Sequence, residues 1–233
     1  MVYVTSDLHG YPLEKFRELL MKAKFSDRDY CFVLGNVIDY GPDGVKLLEW
    51  LMVQPNIQLI MGNHEAMLLS CKKMIEKLVQ GRTDELTEDD QKLCMEWLRN
   101  GGVTTLEALK ALDAEDVEYI IEFIEEAPLY DGVSVGDKEF ILTHSGFSCF
   151  DENKELDDYT SDDLLWNSPE ADDRYFDDVI TVFGHTPTNY YGDEYEGRMF
   201  ATDTWIDIDT GAATGGTPML LRLDDMKEFY VED

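Results

Sequence analysis

Short apolar runs, each closed by a turn, recur along the chain: VYVTS (2–6), CFVLG (31–35), IQLIMG (57–62), EFILTH (139–144), VITVFGH (179–185) and WIDID (205–209). Continuous apolar runs of this length predict buried strands. Between the first three the period becomes helical. In PLEKFRELLMKA, Leu13, Phe16, Leu19, Leu20 and Ala23 share one face, and Pro12 suits a first turn, where no amide hydrogen is needed. VKLLEWLMV (45–53) repeats the pattern. Strands alternating with helices predict parallel βαβ units over the first half.

From about Ala66 to Ala127 the pattern is helical throughout, in KKMIEKLVQ, DDQKLCMEWLRN, TTLEALKAL and VEYIIEFIEEA, broken at Asn100-Gly101-Gly102. After Pro128 strands dominate, with little helix between them, which predicts a second and more antiparallel sheet. The expected fold class is therefore α/β, with two packed mixed β-sheets flanked by helices. A single domain over 1–233 is expected, with a helical insertion or cap at about 66–127. The acidic stretch DENKELDDYTSDD (151–163) reads as a solvated loop.

Polar residues gather where the strands end. The first run closes in Ser6-Asp7-Leu8-His9-Gly10, the second in Gly35-Asn36-Val37-Ile38-Asp39 and the third in Gly62-Asn63-His64-Glu65. Two later runs close in Thr143-His144-Ser145-Gly146 and Gly184-His185-Thr186-Pro187. In open α/β sheets, ligands bind beyond the carboxyl ends of the strands. All four histidines of the chain occupy such positions. One alone would be a packing residue; four, with Asp7, Asp39 and Asn63, point to one shared site.

Charge narrows what that site takes. Fifty acidic against nineteen basic residues give a formal net charge of −31, which excludes nucleic-acid and anionic-membrane partners, since phosphate backbones need Lys and Arg. A phosphate site in this field must bring its own positive charge, most simply as metal ions. Imidazole, carboxylate and amide oxygen without thiolate suit Mn²⁺, Fe²⁺, Zn²⁺ or Co²⁺. More ligands than one ion needs imply two ions, roughly 3.5–4 Å apart. Cys31, Cys71, Cys94 and Cys149 are widely spaced with no CxxC, so buried free thiols in a reducing compartment are expected. No apolar run approaches membrane-spanning length, and MVYVTS reads as a strand, not a signal peptide. A cytoplasmic location is expected.

SDLHG, GNHE, THSG and GHTP, in this order along the chain, with LLWNSP (164–169), WLRNGGVTTLE (97–107) and IDIDTG (206–211), together resemble the calcineurin-like metallophosphoesterases. Within them the set is most similar to the phosphoprotein phosphatase branch of bacterial type. The resemblance implies the four-layer metallophosphoesterase architecture and two divalent ions, with Mn²⁺ first among the candidates. It implies that Asp7 and His9 hold one ion and that Asn63, His144 and His185 hold the other, with position 36 as the bridging ligand. His64 would be the general acid, oriented by Asp39, and a metal-bridging hydroxide would attack phosphorus in line.

Two positions depart from the family pattern G-D-x-x-D-R-G, where this chain reads GNVIDYG. Asn36 offers one ligating oxygen and no charge where a carboxylate would bridge two cations. Tyr40 replaces an arginine and cannot form its charged bidentate pair. Asn36 reads as an introduced substitution or as natural divergence, and Tyr40 leans toward the second. Arg174 is the candidate for a replacement phosphate contact, ahead of Arg99 and Arg198. Tyr40 and Asn63 are further candidate substrate contacts.

The leading expectation is a serine/threonine protein phosphatase, active also on small phosphoesters. WLRNGG and IDIDTG also resemble symmetrical diadenosine tetraphosphatases, so a dinucleoside polyphosphate hydrolase is the alternative. A third reading is a pseudo-phosphatase that binds metal or phosphoprotein without turnover. Glu65 reads as a helix cap, Asp209 as a loop anchor, and Asp203 and Asp207 as solvent-facing strand residues. Trp97, Trp166 and Trp205 read as core.

Overall fold

The structure, a computed structural model, describes residues 1–82 and 87–231. Its elements run β1 (Val2–Thr5), α1 (Leu13–Lys22), β2 (Tyr30–Val33), α2 (Gly44–Met52), β3 (Ile57–Leu59), α3 (Asn63–Ser70) and α4 (Lys72–Val79). There follow α5 (Glu88–Trp97), a wide turn at Leu98–Gly102, α6 (Val103–Leu109), α7 (Ala114–Glu125), β4 (Tyr130–Val135), β5 (Lys138–Thr143), α8 (Ser161–Leu165) and β6 (Val179–Phe183). The last strands are β7 (Phe200–Ala201), β8 (Trp205–Asp207), β9 (Leu220–Arg222) and β10 (Lys227–Phe229).

Two five-stranded sheets result, ordered β10-β9-β1-β2-β3 and β4-β5-β6-β8-β7. In the first, β1 lies parallel to β2 and β2 to β3, because α1 and α2 carry the chain back across the sheet; β9 and β10 add an antiparallel edge. The second sheet is not the more antiparallel one. Its central strands β5, β6 and β8 are parallel, with Glu139 beside Val179 and Thr181 beside Trp205, and only β4 and β7 run against them. Parallel strands need a long crossover. The segment between β5 and β6 supplies one with a single short helix, α8, which left little helical signal to read.

Apolar residues on both faces of the strands explain the continuous runs. In β1, Val4 faces the second sheet, packing in one cluster with Phe32, Leu34, Ile60, Phe140, Leu142, Val182 and Ile206. Its neighbour Tyr3 faces the other way, into a cluster with Val33, Leu59, Phe16 and Leu19 of α1, Leu47 and Leu48 of α2, and Ile120 and Ile121 of α7. The outer face of the second sheet is aromatic, with Phe147, Tyr159, Tyr175, Phe183 and Trp205 packed together. The layers are helix, sheet, sheet and a loop-rich aromatic cover. Full burial of one such aliphatic side chain contributes about 1.5–3 kcal/mol. No helix among the described residues is long and apolar enough to cross a membrane.

Three cysteines, Cys31, Cys71 and Cys94, are buried free thiols, whereas Cys149 is exposed. Asp203 is exposed as expected, but Asp207 is not solvent-facing: it is fully buried in β8. Its Oδ1 accepts from the Asp209 backbone N–H (2.9 Å) and its Oδ2 from the Tyr191 hydroxyl (3.2 Å). Burial, and then the neighbouring Asp209, push its pKa well above the usual carboxylate value of 3.8. A folded-state pKa raised this way favours protonation in the fold, so stability falls as pH climbs through and beyond the unfolded value. Asp207→Asn removes the charge, keeps the acceptor for the Asp209 N–H, and reverses the other bond, with Nδ2–H donating to the Tyr191 hydroxyl oxygen. We expect the variant to melt a few degrees higher at pH 7, the shift ~1 kcal/mol produces in a chain of this size. The gain should vanish by about pH 4, where both forms are neutral; thermal melts at the two pH values check this.

Candidate active site

Because β1, β2 and β3 are parallel, and β5 and β6 are parallel, their carboxyl ends deliver five polar turns to the same region. Backbone bonds tie the turns together: Asp7 N–H to the Gly35 carbonyl (3.1 Å), His9 N–H to Asn36 (2.8 Å) and Gly184 N–H to His144 (2.9 Å). Asp7, His9, Asn36, Asp39, Tyr40 and His185 all have positive φ, six of the nine non-glycine residues that do among the described residues. Such backbone is sparsely populated and persists only where surroundings impose it, as they do at functional sites.

His64 and Asp39 form the most sharply defined unit. His64 Nδ1 lies 2.7 Å from Asp39 Oδ2, both side chains being almost wholly buried. Asp39 is held in turn by the helical segment. Trp97 Nε1 donates to Oδ2 (2.9 Å), the Thr105 hydroxyl donates to Oδ1 (2.6 Å), and Asp39 N–H donates to Thr105 Oγ1 (3.0 Å). This gives the 97–107 tract its purpose. Gly102 makes room for the indole, since a Cβ there would sit 2.5 Å from Trp97 Cε2; Gly101, at φ +93°, offers its carbonyl to Tyr40 N–H (3.2 Å). Trp97→Phe or Thr105→Val removes one donor to Asp39 and should lower kcat ~10–100-fold, the scale of lost outer-shell partners. KM should stay nearly unchanged; steady-state kinetics beside a melting curve separate this from unfolding.

Glu65 does more than cap α3. It accepts from Gly62 N–H at the helix start (3.1 Å), and it also reaches the second turn, accepting from Asn36 N–H (2.7 Å) and Val37 N–H (2.8 Å). Asp209 anchors its loop as expected, accepting from Gly211 N–H (2.8 Å). Tyr40 is half exposed, its ring 5.1 Å from that of His9 and 5.6 Å from that of His64. Burial, and then Asp39, raise its pKa, so the phenol keeps its proton to donate.

Among the three arginines, none joins this group. Arg174 pairs with Asp177 (3.1 Å) and Asp203 (3.5 Å) and lines a surface groove with Phe150 and Phe176. Nearby carboxylates claim it before any substrate can. Arg99 is exposed on the turn after α5, and Arg198 lines a separate groove with Glu228 and Tyr230. Trp97 and Trp205 are buried, but Trp166 is 49 % exposed, with its ring edge-on to His185 at 6.2 Å. Trp166 belongs to the mouth of the site, not the core.

The metal expectation can be tested on hydrogen-bond roles. His144 Nδ1 lies 2.7 Å from the Leu34 carbonyl and must donate to it, leaving Nε2 as a lone pair. That lone pair faces Asn63 Oδ1 at 2.8 Å. Two acceptors this close repel unless a cation accepts from both. His185 packs across His144 with ring centroids 5.0 Å apart, and neither of its ring nitrogens has a hydrogen-bond partner among the described residues. Burial, and then His144, lower the His185 pKa to about 3; burial lowers that of His144. Both imidazoles are thus neutral, as ligands must be. Among the described residues no three His, Cys, Asp or Glu side chains converge as a ligand group, so a cation here depends on the Asn63 amide. With that amide the residues fit.

Asp7 is placed differently. Its Oδ1 accepts from Asn36 Nδ2 (2.9 Å) with His9 Nε2 at 3.5 Å; its Oδ2 accepts from the Ser6 hydroxyl and His185 N–H (2.8 Å). Burial works to raise its pKa, but His9, His144 and the His185 amide together lower it below the usual range. For His9 burial works the other way, and Asp7 outweighs it to raise the imidazole pKa.

A sheet sandwich whose strand ends gather imidazole, carboxylate and amide side chains defines an α/β fold with one polar site beyond its parallel strands. The sequence model of the calcineurin-like phosphoesterases matches residues 1–209, and the chain belongs to that family. Over 101 residues it is 34% identical to a symmetrical bis(5'-nucleosyl)-tetraphosphatase of Buchnera aphidicola subsp. Acyrthosiphon pisum, a match covering 42% of this chain and 36% of the relative. A tetraphosphatase of the same name from Chromobacterium violaceum is 28% identical over 102 residues, covering 42% and 36%. The chain therefore aligns with little more than a third of the length of these relatives. Among solved structures, one provisionally described as a diadenosine tetraphosphatase superposes with TM-score 0.64 at 17% identity, covering 99% of this chain and 92% of the other. A cold-active protein tyrosine phosphatase superposes with TM-score 0.54 at 17% identity, covering 100% and 78%. At such identities the likeness is one of fold.

Proposed function

We propose that the chain is a metal-dependent hydrolase of phosphate esters and anhydrides whose substrate is a dinucleoside polyphosphate, cut symmetrically. The observation that carries hydrolysis is the buried His64–Asp39 pair beside the facing His144 and Asn63 lone pairs. The substrate class rests on the tetraphosphatase relatives, which favour it over the phosphoprotein expected first from sequence. Asn63, His144 and His185 would hold a divalent cation, which supplies positive charge and Lewis acidity toward a phosphoryl group. Mn²⁺ is our first choice among the ions this mixed imidazole and oxygen set suits, with Fe²⁺, Zn²⁺ and Co²⁺ behind it.

The chain's own residues do the rest. His64 Nδ1 is committed to Asp39, which leaves Nε2 to carry a proton to the departing oxygen. Tyr40, half exposed at the mouth, donates its hydroxyl to a phosphate oxygen. Trp166, at the other side beside His185, offers an exposed ring against which a base can stack.

A second reading, a phosphoserine or phosphothreonine monoester as substrate, draws support from the net charge of −31. A tetraphosphate brings more negative charge into that field than a monoester does. Parallel assays with Mn²⁺ on diadenosine tetraphosphate and on a phosphopeptide decide between them. We expect the first to be consumed to ADP alone, at a rate at least tenfold above the second. Phosphate release from the peptide alone would overturn our reading in favour of the second. No His64-dependent hydrolysis of either would leave binding without turnover as the function.

A further inference from the structure

The two halves of the site are unequal, and the inequality comes from Asn36. Its Oδ1 accepts from the His64 backbone N–H (3.0 Å), and its Nδ2 donates to Asp7 Oδ1 (2.9 Å). This amide can point only one way. A flipped amide would set NH₂ against an N–H donor and oxygen against a carboxylate, losing both bonds. Asn36 therefore shows hydrogens, not a lone pair, to the Asp7 carboxylate.

Asp7 then has three of its roughly four acceptor sites filled. Oδ1 takes the Asn36 NH₂, and Oδ2 takes the Ser6 hydroxyl and His185 N–H. A cation between Asp7 and His9 would have to share Oδ1 with a donor already bonded to it. His9 is also fixed, its Nδ1 bonded to the Ile38 carbonyl (3.2 Å). On the other side His144 Nε2 and Asn63 Oδ1 face each other as two acceptors, and neither His185 ring nitrogen has a hydrogen-bond partner among the described residues.

We propose that this chain binds one divalent cation tightly, at Asn63, His144 and His185, and that Asn36 has turned the Asp7–His9 half into a hydrogen-bonded pair that takes no cation at the same concentration. The proposal rests on the metal-centre reading above but not on any substrate. The NH₂ group of Asn36 does locally what a second cation would do: it gives the Asp7 carboxylate a positive partner. The position is restored by a carboxylate at 36, which loses the donor to Asp7 and gains a charge between the two halves.

The test counts metal and needs no turnover. The whole chain, Asn36→Asp and His144→Ala are each dialysed to equilibrium against micromolar Mn²⁺, and bound manganese per chain is measured by elemental analysis and electron paramagnetic resonance. We expect one Mn²⁺ for the chain with an isolated-ion spectrum, two for Asn36→Asp with the spectrum of a coupled pair, and none for His144→Ala. Two equally tight ions on the unaltered chain would overturn the proposal, as would one ion on a folded Asn36→Asp or an unchanged count in His144→Ala. Inactivity on every phosphoester, with these counts intact, would sink the proposed function and leave this inference standing.

Discussion

His64→Ala should lower kcat on a simple alkyl phosphate such as glycerol phosphate by ~10²–10⁴-fold, the range general acid catalysis supplies. It should slow p-nitrophenyl phosphate hydrolysis far less. The reason lies in the leaving group. An alkoxide departing at neutral pH needs a proton, whereas a nitrophenolate departs without one. His64 is built to give that proton: Nδ1 is held 2.7 Å from Asp39, and Asp39 is itself held by Trp97 and Thr105. Without Asp39 the ring would rotate and its tautomer would be unset. Asp39→Asn should therefore give a partial loss with the same leaving-group dependence, since an amide keeps one oxygen to orient the ring but loses an acceptor that Trp97 or Thr105 uses. Initial rates on both substrates for the two variants check this. An equal loss on the two substrates would mean that His64 binds phosphate and does not protonate the leaving group.

The site was far more legible in the sequence than the fold around it. Asp7, His9, Asn63, His144 and His185 each follow an apolar run directly, and parallel strands leave little choice about where such residues meet. The same runs gave β1, β2, β3, β5, β6 and β8 within a residue or two of their bounds at the start. Of the strands missed, β4, β7 and β10 are edge strands with half-exposed residues and no continuous apolar signal, and β9 is buried but only three residues long. Asp207 was misread because a lone acid in WIDID looks like the polar face of an alternating strand, yet both faces of β8 are covered. Arg174 was misread because sequence shows a charge but not which carboxylate claims it. Trp97 and Thr105 lie within a quoted tract, but their bonds to Asp39 span 58 and 66 residues, and no local pattern encodes contacts at that separation. Asn36 stands between these cases. Its departure from the family pattern was plain, while the direction of its amide depends on the His64 N–H, which only the assembled turns reveal.

Glu65→Ala should be the most destabilising single substitution in the site, by ~3–5 kcal/mol, the range for leaving buried polar partners uncompensated. In a chain of this size that lowers the melting temperature by roughly 10–15 °C. Glu65 is fully buried, and its two oxygens accept from the backbone N–H groups of Asn36, Val37 and Gly62. Truncation strands these three donors where no water replaces the carboxylate, at about 1–3 kcal/mol each. It also frees the turn that bears Asn36, Asp39 and Tyr40, all at positive φ. Their strained backbone has Glu65 as its brace, so it would relax once the brace is gone. Activity should consequently fall further than the folded fraction alone predicts, even well below the melting temperature. Glu65→Gln distinguishes bracing from bulk. It fills the same volume, but its NH₂ must face either Asn36 and Gly62 or Val37, donor against donor. We expect a loss close to that of alanine in spite of the restored packing. Melting curves of the two variants, with kcat measured 20 °C or so below the lower midpoint, read out both effects. A glutamine variant as stable as the unaltered chain would show that Glu65 fills space and braces nothing.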